Sequence, residues 1–205
     1  MSRRDDFRSL VRRVGDQAQR TLTTGPVAAA RKLLSEVAAR QARVPDEALT
    51  RAIAHAEGVR EASVACQGGR IRIDATFDDG THLEVGLVPW DVRFAPRGAK
   101  EVVFRLEPRE LGRERHVPEL VAAVAAVVAH PLVGRPRRRP ISSQGVFVDK
   151  EADDLFRVDL RNVPAVRARM TNGSVAAMFE ALALGNLRAE EGMLSLTLEL
   201  PGLTR

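Results

Sequence analysis

Between Arg70 and Phe94 the chain reads RIRIDATFDDGTHLEVGLVPWDVRF, and every second residue is apolar. A period of two is the signature of strands with one greasy and one polar face. Ile71, Ile73, Ala75 and Phe77 point one way; Arg70, Arg72, Asp74 and Thr76 point the other. Asp79-Gly80 is a hairpin signal, after which Leu83, Val85 and Leu87 rejoin the apolar side. Pro89 cannot donate to a ladder and marks an edge, bulge or corner. Trp90, Val92 and Phe94 carry the alternation on, and Val102, Phe104 and Leu106 repeat it beyond a PRGAK turn. With Val59–Cys66 as the first hairpin arm, this predicts a meander of four or five antiparallel strands.

Period 3.6 rules elsewhere. In residues 1–24, Phe7, Leu10, Val11 and Val14 form a helical stripe flanked by arginines, and Gly25-Pro26 stops it. A second helix is expected from Val27 to Ala42, and a third in PDEALTRAIAHAEG, with acidic residues at its positive end and Gly58 as the stop. Pro118 opens PELVAAVAAVVAH, which has no charge after Glu119 and must be largely buried, ending at His130-Pro131. PLVGRPRRRPISSQG then reads as a loop. Short strands resume at Gly145–Val148 and Leu155–Leu160, and SVAAMFEALALG reads as a helix capped by Ser174 and closed by Gly185. A last hairpin joins Leu187–Ala189 to MLSLTLEL. The fold class is α+β: curved antiparallel sheet on a few helices. An N-terminal helical segment (1–44) precedes one α+β domain (45–205). A weak echo between its helix-to-hairpin units suggests two related halves joined by the loop at 131–144, although that order of elements is common enough for coincidence.

Composition adds limits. The 205 residues are 44% apolar and 29% charged, ordinary for a folded protein. The net charge of +5 is carried almost wholly by arginine, with Lys32, Lys100 and Lys150 as the lysines. Cys66 is the single cysteine, so no intrachain disulfide forms. MSRRDDFRSL lacks an apolar leader core, and no run approaches the ~20 apolar residues of a membrane span. A cytoplasmic location is expected, with peripheral membrane attachment as its variant.

Catalytic signatures are missing. No two of His55, His82, His116 and His130 have helical metal spacing, and there is no GxSxG, Walker loop or GxGxxG. No enzyme, cofactor or metal is expected. Two features invite a binding role. Arg135, Arg137, Arg138 and Arg139 in GRPRRRP could meet phosphate or anionic headgroups of a membrane surface. Nucleic acid is disfavoured, because no exposed aromatics are interleaved with these arginines. The second feature is an excess of apolar strand residues over slim helices able to cover them. On that reading Ile71, Ile73, Phe77, Leu83, Val85, Leu87, Trp90, Phe94, Phe104, Phe156, Leu196 and Leu198 line a groove for a lipid or other apolar small molecule. The alternative is a protein–protein interaction or scaffold module, covered by its own helices, a partner or a second copy in a homo-oligomer.

The segments GNLRAEEGMLSLTLELPG, VREASVACQGGRIRIDATF and FRVDLRNVP resemble bacterial lipid-binding proteins of the TULIP kind, such as the LmeA-like phospholipid-binding family. The likeness spans roughly residues 45–203 and rests on element order and glycine turns. It implies a strongly curved antiparallel sheet wrapped around a helix, with lipid in an apolar groove, in proteins that are usually exported or lipid-anchored.

Overall fold

A computed structural model describes residues 41–133, 141–149, 152–171 and 173–199. Its strands are β1 (Gln41–Pro45), β2 (Val59–Gln67), β3 (Arg70–Phe77), β4 (His82–Phe94), β5 (Lys100–Glu107), β6 (Val146–Val148), β7 (Leu155–Asp159), β8 (Ala183–Glu190) and β9 (Met193–Glu199). Its α-helices are α1 (Asp46–Ile53), α2 (Val117–Val133), α3 (Pro164–Met170) and α4 (Gly173–Ala181). The expected α+β class is what the structure has: one curved, antiparallel nine-stranded sheet packed on helices.

The long strand β4 is the spine. Along one side it pairs with β5, which continues through β7 to the edge strand β6. Along the other, its first half pairs with β3 and its last residue, Phe94, meets Leu184 of β8. Two wings therefore leave the same flank, β3–β2 and β8–β9–β1. They curl towards each other until Gly192 N–H, in the β8–β9 turn, donates to the Cys66 carbonyl of β2 at 3.0 Å.

Inside lies α2. Its residues from Leu120 to Ala129 are at most 1% exposed. A helix apolar on every face belongs inside a core. The sequence gives it no charge beyond Glu119 until His130, and its alanines let neighbouring backbones come close. The sheet takes part of its surface; α1, α3 and α4 take the rest. One continuous hydrophobic cluster contains α2 and the inward residues of the strands.

Several boundaries differ from the sequence expectation. The described end of the predicted helix 27–42 is strand: Gln41–Pro45 alternates exposed and buried and pairs with β9. Burying Ala42 and Val44 between β9 and the core outweighs helix propensity over so short a stretch. Helix α4 starts at Gly173, so Ser174 lies inside the helix, and stops at Ala181; Gly185 sits within β8 at a register shift. Leu182, Leu184 and Leu187 are buried there against β9. Helix α2 runs through Pro131 to Val133, and α3 had no forewarning in the pattern. The expected N-terminal stripe Phe7–Val14 lies outside the described residues.

Candidate functional site

The residues expected to line a groove divide sharply. Ile71, Ile73, Phe77, Leu83, Val85, Leu87, Phe94, Phe104, Phe156, Leu196 and Leu198 are each at most 5% exposed and belong to the core cluster around α2. A side chain without accessible surface has no water-sized space beside it. These eleven are packing residues, and the shortage of covering side chains is not found around them. They share one buried cluster with α2, which is apolar on every face rather than along one stripe. Trp90 is the exception at 52% exposed. Arg135, Arg137, Arg138 and Arg139 lie outside the described residues.

Trp90 escapes because of a bulge. Pro89 pairs with Phe104 and Asp91 with Val103, leaving Trp90 as the extra residue between them. A bulge re-aims side chains, and here Trp90 and Asp91 both face outward. Counting back from Phe94 and Val92 without that residue puts Trp90 inside.

On the outer face a cleft of about 110 Å³ is lined by Trp90, Asp91, Arg93, Val103, Asp149, Leu155 and Arg157. Strand pairing explains the gathering: Asp91, Val103, Arg157 and Phe147 form one row across β4, β5, β7 and β6. Val103 is the floor. It is only 7% exposed yet lies outside the main core cluster, on the opposite side of the sheet from α2. The Arg105 guanidinium stacks 3.2 Å from the centre of the Trp90 ring. Arg93 is held by Asp91 through Nε to Oδ2 at 2.8 Å. Arg157 is exposed and has no ion pair among the described residues. At the end of the row Phe147 is 49% exposed, and Val148 beside it 42%.

The remaining charged clusters read as structure. Lys100 is fully buried, with Nζ donating to the carbonyls of Leu182 at 2.7 Å and Ala95 at 2.9 Å, and over the ring of Phe94 at 4.2 Å. Loss of water pushes its ammonium down to about 8; the nearby Glu180 carboxylate opposes that and Arg161 adds to it. Arg161 grips Glu180 with two hydrogen bonds, at 2.9 and 2.8 Å. His116 stacks on Phe77 and bonds the Asp79 carboxylate at 2.8 Å, pinning the β3–β4 turn to the start of α2. The Thr81 backbone N–H and then His116 hold Asp79 below the usual carboxylate range. Burial first, and then Asp46, raise the Cys66 thiol, which keeps it protonated and unreactive. Among the described residues no three His, Cys, Asp or Glu side chains gather as a metal ion would require. No described helix is long and apolar enough to cross a membrane.

Sequence reasoning missed Arg93, Arg105, Val103, Leu155, Arg157 and Phe147 as a group. The signal was present in the polar phase of β5 and β7, but joining them needs the strand order β4-β5-β7-β6, which skips α2. No family model, curated protein or solved structure matches this chain.

Proposed function

We propose that this protein is a non-catalytic protein–protein interaction module with no small-molecule ligand inside its sheet. The observation that supports this reading is burial: eleven of the strand residues able to line a groove are at most 5% exposed and belong to one cluster with α2, whose central turns have essentially no exposed surface. A lipid or other apolar ligand on the concave face would have to displace that helix. Exposing its side chains would cost about 1.5–3 kcal/mol for each large one. The family resemblance to TULIP-type proteins then concerns the wrap of sheet around helix, with the helix itself as the apolar filling.

Native mass spectrometry of the purified full chain, paired with organic extraction, tests the proposal. The expected result is the bare chain mass and an extract without stoichiometric lipid. One bound lipid per chain, retained through purification, would falsify the module reading and restore the carrier.

A further inference from the structure

We propose that the outer-face cleft at Trp90 is the docking site for a partner protein, which presents an apolar side chain to the cleft and a neighbouring carboxylate to Arg157. This deepens the interaction-module reading and rests on it. The apolar part of the argument is Val103, Leu155 and the Trp90 ring: a small greasy floor and wall on the solvent side of the sheet, continued along the row by Phe147. Nothing in the chain's own core needs these residues, since Val103 is separate from the cluster around α2. Tryptophan and arginine in a partly enclosed pocket are the composition of interface hot spots.

Charge chooses the occupant. Arg93 is paired with Asp91, and Asp149 lines the same cleft; set against Arg93, Arg105 and Arg157, these two acids leave one positive charge over, and Arg157 is in no ion pair among the described residues. The surplus is positive, so the complementary segment is acidic as well as apolar. A second copy fits poorly, because the acids its same face would offer are Asp91, already held by Arg93, and Asp149, which has a partner of its own. The chain's own 134–140 segment has the wrong sign, with four arginines and no acid. Single-stranded nucleic acid is a weaker match. The Arg105 guanidinium occupies one face of the ring a base would stack on. Strand β6 strengthens the case for an extended segment. It ends the sheet path, and among the described residues no strand pairs with its outer edge beside Phe147.

Panning a displayed library of short random peptides on the full chain tests this. Enriched sequences should combine an aromatic or aliphatic residue with a nearby Asp or Glu. Their synthetic versions should bind the Trp90→Ala and Arg157→Glu chains at least about tenfold more weakly, with Arg157→Lys recovering part of the loss. Both positions are exposed, so unchanged thermal unfolding of the variants separates lost docking from lost folding. Equal binding to wild-type and substituted chains would overturn this site and leave the module reading standing. The site also falls if no peptide is enriched. It falls equally if these substitutions abolish binding of an oligothymidylate probe, or break up a dimer seen by sedimentation, since either names a different occupant.

Discussion

Lys100 shows how one buried charge can organise a junction. Its ammonium ties the β4–β5 turn, through Ala95, to the segment leaving α4, through Leu182. The Ala95 carbonyl also accepts the Gly98 backbone N–H at 3.1 Å, so the ammonium is its second donor, while the bond to Leu182 is the buried one. The ammonium titrates near 8 in the folded chain and near its ordinary 10.5 when unfolded. Between those values the unfolded chain holds the extra proton, so this group's contribution to stability rises with pH. Below about 8 both states are charged and the cost of burial is complete and constant. Urea unfolding at pH 7.5, 9 and 10 should therefore show wild type gaining on Lys100→Met as pH rises. The variant should already be weaker at pH 7.5 by about 1–3 kcal/mol, since the Leu182 carbonyl loses this donor. A gap that shrinks with pH would contradict this account. None of it is legible in PRGAK, where a lysine after a turn reads as an ordinary solvated charge.

At the scale of elements, α1 solves a problem that β2 creates. Among the described strands β2 pairs with β3 alone, so its other side offers backbone donors that no described strand takes up. Asp46 accepts the Cys66 N–H at 3.1 Å, and Thr50 Oγ1 accepts the Val64 N–H at 3.1 Å. Residues one helical turn apart and residues two apart along a strand are both separated by about 6–7 Å, which lets a helix face read a strand edge. Asp46→Ala should cost about 1.5–3 kcal/mol, as expected for a hydrogen bond to a charged group, and Thr50→Val about 1. Urea titration measures the losses. The double variant should also aggregate faster on mild heating, seen by light scattering, because the strand edge is then bare. An unchanged midpoint would show that water replaces both side chains without loss. In the sequence Asp46 was visible only as a helix-start acid, and Thr50 carried no signal. Their second job depends on where β2 lies, which local pattern does not encode.

At the scale of the whole molecule, α2 is the common partner of helices and sheet. Its amides should exchange with solvent only through global unfolding, whereas those of β6, at the edge with exposed side chains, should exchange by local fraying. Hydrogen-exchange mass spectrometry decides this; fast exchange in residues 120–129 would mean that the central helix leaves its place in the native state. The meander from β2 to β5 was readable because its strands alternate, β4 as far as Pro89, and two of its turns carry Gly68-Gly69 or Asp79-Gly80, glycines observed at positive φ. The depth of α2 was half readable: its composition says buried, but not that burial is equal all round. Strand β1 and helix α3 were not readable, since each is short and keeps its place through partners far along the chain. The Trp90 cleft was hidden for a different reason, a single extra residue at a bulge that reverses the phase of alternation.

The pairing of β1 with β9 has a consequence for biosynthesis. Of the described strands, the one made first takes as its neighbour the one made last. During translation Ala42 and Val44 must wait for Leu194 and Leu196 to emerge. A nascent chain stalled before β9 therefore carries an unsatisfied ribbon near its beginning, a natural target for a ribosome-bound chaperone.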